Sequence, residues 1–138
     1  MELDKELIQG RIDIIDRNLK FLDLYQKIDQ KNYLSSYKDI QAVKYSLFEI
    51  IEACLDIASH VISVKGFERA ESYSEMFLIL GKEKLIDSKL SQNLSEMAKF
   101  RNVLIHSYSK VDNLKVLDFV INELKDIKKF TKKILEFV

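Results

Sequence analysis

Apolar residues recur at three- and four-residue steps along most of this chain, the period of amphipathic helices. Residues 3–28 carry Leu7, Ile8, Ile12, Ile15, Leu19, Leu22 and Ile28 in that rhythm, which predicts a first helix. The polar run KIDQKNYLSS interrupts it. Ser36, with Asp39 three residues on, has the form of a capping box and opens a second helix. That helix runs through Ile40, Val43, Leu47, Ile50, Ile51, Leu55, Ala58, Val61 and Ile62 to Gly66. Its middle is apolar around most of the circumference, so it is expected at the centre of the fold. Ser72 and Glu75 repeat the capping pattern ahead of a short helix that should end at Gly81. Asp87 or Ser88 caps a further helix through Leu90, Leu94, Met97, Ala98, Val103 and Leu104. SYSKVDN breaks the pattern, and Asp112 caps a last helix through Val116, Leu117, Val120, Ile121, Leu124, Ile127, Ile134 and Leu135. Four long helices and one short one, joined by short links, predict an all-α, up-and-down four-helix bundle with one additional short helix.

Composition agrees with that reading. The chain has 138 residues, no proline and only three glycines, so tight β-turns are poorly provided for. With no linker, repeat or low-complexity tract, residues 1–138 read as a single domain. Cys54 is the only cysteine, which excludes an intramolecular disulfide and a cysteine-based zinc site. No apolar run approaches a membrane span, and the charged start Met-Glu-Leu-Asp-Lys-Glu lacks the apolar region of a signal peptide. A cytoplasmic protein is expected. Net charge is zero, against a generally basic nucleic-acid binder. From Lys99 onward, however, nine Lys and Arg face five Asp and Glu, so an anionic partner is possible.

The chemistry concentrates in RNVLIHSY, residues 101–108. At about 100° per residue, Arg101 and Tyr108 fall nearly one above the other, and Asn102 and His106 form an i, i+4 pair on the adjoining face. A helix C-terminus carries partial negative charge, which favours the imidazolium form of a nearby histidine. Such a set suits RNA cleavage without a metal. Histidine can take the proton of a ribose 2′-OH or protonate the leaving 5′-oxygen. An arginine fork can bind the non-bridging phosphate oxygens and the charge that grows on them. One histidine can hardly be both base and acid in one step, but a symmetric dimer would supply two.

The stretch FRNVLIHSY resembles the signature of the HEPN superfamily, and in its HepT-like toxin branch the form is Arg-x4-His-x-Tyr. Arg101, Asn102, His106 and Tyr108 match it. IIEACLDIASHVI (Ile50–Ile62) and ESYSEMFLIL (Glu71–Leu80) resemble the preceding long helix and the intervening short helix of the same branch. The resemblance implies a HEPN-like all-α bundle and a homodimer holding both motif copies. It also implies a metal-independent endoribonuclease toxin that needs no cofactor. Arg101, His106 and Asn102 would be its catalytic residues. A minimal nucleotidyltransferase (MNT) antitoxin would be the partner and would silence the toxin by adenylylating Tyr108.

Beside the motif, Glu52 and Asp56 are i, i+4 neighbours on the second helix. Either carboxylate could orient Arg101 or His106, with Asp56 the favoured of the two, or serve only as a structural ion pair. Cys54 reads as a packed thiol and His60 as an ordinary polar contact. Two histidines this far apart make a weak metal case. Lys125, Lys128, Lys129, Lys132 and Lys133 form one stripe, either a solvated face or a strip that tracks phosphates. The remaining tyrosines, Tyr73 among them, read as packing or surface. The alternative to a ribonuclease is a non-catalytic helical module that binds a nucleotidyltransferase subunit or a nucleotide. A purely structural dimerisation bundle is a third.

Overall fold

The computed structural model describes residues 2–106 and 112–138, with the side chain of His106 also outside the described set. Seven helices span these residues: α1 (Lys5–Asp23), α2 (Gln30–Leu34), α3 (Tyr37–Lys65), α4 (Tyr73–Lys82), α5 (Ser88–His106), α6 (Asn113–Asn122) and α7 (Leu124–Leu135). The capping signals work as local chemistry predicts. Ser36 accepts from Asp39 N at 3.2 Å, Ser72 from Glu75 N at 3.2 Å and Asp87 from Leu90 N at 2.8 Å. Asp112 accepts from Leu114 N at 2.9 Å. Each satisfies an amide that the first turn leaves without a partner.

Helix α3 is the centre. Val43, Leu47, Ile50, Ile51, Cys54, Ile57 and Ala58 are fully buried along it. α1 packs antiparallel to it, as four cross-links show in order. Asp4 N donates to His60 Nε2 (2.9 Å), Arg11 Nε to Asp56 Oδ2 (2.8 Å), Ser46 Oγ to Asn18 Oδ1 (2.7 Å), and Tyr25 Oη to Asp39 Oδ1 (2.9 Å). α4 and α5 form a helical hairpin, and α5, α6 and α7 close the other sides of α3 or of one another. Phe77 meets Phe130 edge to face at 5.6 Å, and Phe100 stacks on Phe119 at 6.0 Å.

Three boundaries depart from the periodic pattern, two of them at contacts from other parts of the chain. α1 stops at Asp23 rather than near residue 28, and i→i+3 turns follow, such as Tyr25 N to Leu22 O at 3.0 Å. Tyr25 is turned inward there, bonded to Asp39 and set edge to face with Tyr33 at 6.3 Å. The polar interruption contains α2, capped by Asp29, and buries Tyr33 completely. The predicted last helix is two helices, α6 and α7, divided at Glu123. The carbonyl of Val120 would accept from Leu124 N in an unbroken helix; it takes Gln26 Nε2 at 2.7 Å.

Gly81 does not stop α4, as the sequence suggested. Lys84 takes the left-handed conformation (φ 62) just beyond the helix, and Leu85 N bonds back to Leu80 O at 3.0 Å. Gly81 instead lets α5 approach closely. A Cβ there would lie 2.3 Å from Ser91 Oγ and 2.5 Å from Ser91 Cβ. Ser91 cannot easily yield, because its hydroxyl donates to Phe77 O at 2.8 Å inside the hairpin.

Two measurements check this packing. Gly81→Ala should cost about 1–3 kcal/mol of stability through overpacking, read as a lower urea midpoint at unchanged slope. Burial also pushes the Cys54 thiol well above the usual range, which keeps it protonated. Cys54 should therefore resist Ellman's reagent at pH 8 in the native protein and react at once in denaturant.

Candidate ribonuclease site

Helix α5 carries the motif because its two faces divide cleanly. Leu90, Leu94, Met97, Ala98 and Leu104 are buried, while Asn102 and Val103 are exposed. Arg101 lies at the seam, its side chain only 16% exposed. Three helices reach it there. From α3, Glu52 Oε1 accepts a short hydrogen bond from Arg101 Nε. Within α5, Arg101 Nη1 donates to Asn102 Oδ1 at 3.3 Å. From the start of α4, the Tyr73 ring lies against the guanidinium, whose carbon is 4.7 Å from the ring centroid. That separation is within cation–π range. Among the described residues, the Nη2 pair and the second Nη1 hydrogen have no acceptor.

The magnitudes indicate what holds this side chain. An unrestrained arginine has roughly 2 kcal/mol of rotamer entropy to lose. A partly exposed ion pair contributes about 0–1 kcal/mol, too little to fix the guanidinium alone. A cation–π contact adds about 0.5–2 kcal/mol. Together the two partners match the entropic cost.

The other sequence candidates fall into two groups. Glu52, Arg101 and Asn102 are joined directly. Asp56, the favoured carboxylate in the sequence, pairs with Arg11 of α1 rather than with Arg101. Four residues apart on α3, the two acids serve opposite neighbours. His106 ends α5, but its side chain and all of Tyr108 lie outside the described residues. His60 is the ordinary polar contact it was read as. The five lysines of the α7 stripe are all exposed, opposite the buried Ile127, Phe130 and Ile134. Sequence reasoning missed Tyr73 altogether. It lies twenty-eight residues before Arg101, and no periodic pattern relates the two.

Beyond Arg101, α3 and α5 enclose a groove of about 260 Å³ lined by Gln41, Lys44, Tyr45, Phe48, Leu104 and Ile105. Among the described residues, no three His, Cys, Asp or Glu side chains cluster as metal ligands would, and no helix is long and apolar enough to cross a membrane.

This geometry can be set beside known proteins. A family model described as ribonuclease HepT-like matches residues 15–134. A tRNA nuclease HepT of Aphanizomenon flos-aquae (strain 2012/KM1/D3) is 27% identical over 110 residues, 80% of this chain and 75% of its own. An mRNA nuclease HepT of Shewanella oneidensis is 27% identical over 125 residues, 91% and 93% of the two chains. The tri-AMPylated Shewanella oneidensis HEPN toxin, solved in complex with MNT antitoxin, superposes with a TM-score of 0.87 at 26% identity, over 96% of this chain and 99% of that one. The model match takes in α3, α4 and α5 entire, the three helices that meet at Arg101. The chain therefore belongs to the ribonuclease HepT-like family.

Proposed function

We propose that this chain is the endoribonuclease toxin of a HEPN/MNT-type toxin–antitoxin pair and cuts RNA without a metal. The observation that carries the reading is Arg101, held by Glu52, Asn102 and Tyr73 with donors left over, on the helix that also bears His106. The relatives named as tRNA and mRNA nucleases support the substrate class. The reaction is attack of a ribose 2′-oxygen on the adjacent phosphorus with loss of the 5′-oxygen, leaving a cyclic phosphate. His106 takes the 2′-OH proton or delivers one to the leaving 5′-oxygen. Arg101 stabilises the charge that builds on the non-bridging oxygens, and Asn102 positions both.

The protein works as a homodimer in the cytoplasm. A histidine from each subunit then serves one cleft, one as base and one as acid. Tyr108 is the acceptor of AMP from the MNT antitoxin. The added nucleotide phosphate brings negative charge and bulk to the RNA-binding cleft and repels the RNA backbone. The solved relative that is AMPylated and bound to MNT antitoxin supports this control.

Two experiments test the reading. In EDTA, unmodified protein should cut a tRNA and mRNA panel, while His106→Ala and Arg101→Ala each lose about 10² or more in rate. Intact RNA with folded, unmodified wild type would remove the ribonuclease assignment. With an MNT-type antitoxin and ATP, mass spectrometry should find AMP on Tyr108 and cleavage should stop. Tyr108→Phe should stay unmodified and should escape that inhibition.

A further inference from the structure

We infer that Tyr73 is a positioning residue for RNA cleavage: its ring forms the wall against which the Arg101 guanidinium is held. The inference rests on the ribonuclease reading and gives a role to a side chain outside the motif. The contact is direct, 4.7 Å from guanidinium carbon to ring centroid. It supplies what the other two partners cannot. Glu52 and Asn102 engage the guanidinium by hydrogen bonds through Nε and Nη1. The Tyr73 ring, over which the guanidinium carbon lies, adds a contact of a different kind from a third helix, and a third point of contact restricts the swing that two bonds still allow.

The wall is also built to stay in place. Tyr73 is the first residue of α4, directly after the Ser72 cap. Glu75, whose amide that cap holds, accepts Glu71 N through its own carboxylate at 3.1 Å, which fixes the approach to the helix. α4 is in turn locked to α5 where Gly81 lets Ser91 in and Ser91 Oγ donates to Phe77 O. Ring and arginine thus sit on two rigid helices of one hairpin. Tyr73 as a residue is 42% exposed, so its own burial is not what holds the fold together. Among the described residues its phenolic oxygen makes no hydrogen bond, and the contact needs the ring alone. Phenylalanine should therefore replace it and an aliphatic residue should not.

The test compares RNA cleavage by wild type, Tyr73→Phe and Tyr73→Leu, together with the NMR signal of the Arg101 Nε–H, assigned by its loss in Arg101→Lys. Tyr73→Leu should lower kcat about tenfold, with KM changed less than about twofold, while Tyr73→Phe stays within about twofold of wild type. The Arg101 Nε–H signal should be displaced by the ring in wild type and Tyr73→Phe, and should move towards the free-arginine position in Tyr73→Leu. Unchanged kcat in a folded Tyr73→Leu protein overturns the inference and leaves the ribonuclease reading standing. So does an equal loss in both variants, which would place the effect in the hydroxyl. A wild type that cuts nothing is a different failure, because it removes the reaction itself.

Discussion

Because α3 is apolar around most of its circumference, it is stable only when other helices cover it on several sides, and that requirement orders the rest of the molecule. α1, α4, α5 and α6 all pack on it. Several polar side chains of α3 lie in the seams between those neighbours. Ser46 meets Asn18, Glu52 meets Arg101, Asp56 meets Arg11, and His60 meets the amide of Asp4. Each seam contact fixes one neighbour in register. Arg101 is held in place as part of the same arrangement that buries the apolar middle of α3.

The site therefore forms where three helices converge rather than along one motif. α5 contributes the arginine, α3 the carboxylate bonded to its Nε and α4 the ring over which its guanidinium carbon lies. No partner is strong by itself, since a partly exposed ion pair is worth little and a cation–π contact somewhat more. They come from different helices, however, and two weak restraints from separate elements fix an orientation better than either alone. An orienting cluster of this kind suits a group that must meet a phosphate in one pose.

Much of this was legible in the sequence where the cause is local. Ser36, Ser72, Asp87 and Asp112 each bond an amide two or three residues ahead, so the starts of α3, α4, α5 and α6 could be read directly. The motif was legible too, through spacing and resemblance, and the sequence names Glu52 as a carboxylate that could orient Arg101, although it favours Asp56. What could not be read depends on contacts between distant residues. Gln26 takes the carbonyl of Val120 and divides the last helix, although the apolar phase runs on through Val120, Leu124 and Ile127. Tyr25 turns in to meet Asp39 and ends α1 early. Asp56 and Glu52 are equivalent by helical phase, and only the arrival of Arg11 from α1 separates them. Tyr73 is invisible for the same reason, because the α4–α5 turn decides which ring reaches Arg101.

The residues that carry stability differ from those to which the chemistry is proposed, and this follows from where each is placed. The core is continuous from Ile8 and Ile12 through Leu47, Ile50 and Ile57 to Phe77, Phe130 and Ile134, all buried. Burying one such side chain is worth about 1.5–3 kcal/mol, against about 0–1 kcal/mol for a partly exposed pair such as Arg101 with Glu52. The fold therefore draws little from the seam in which Arg101 lies. Losing a seam contact frees a side chain to wander without opening the bundle. That separation lets a charged group be held in a seam between helices on a scaffold that does not depend on it.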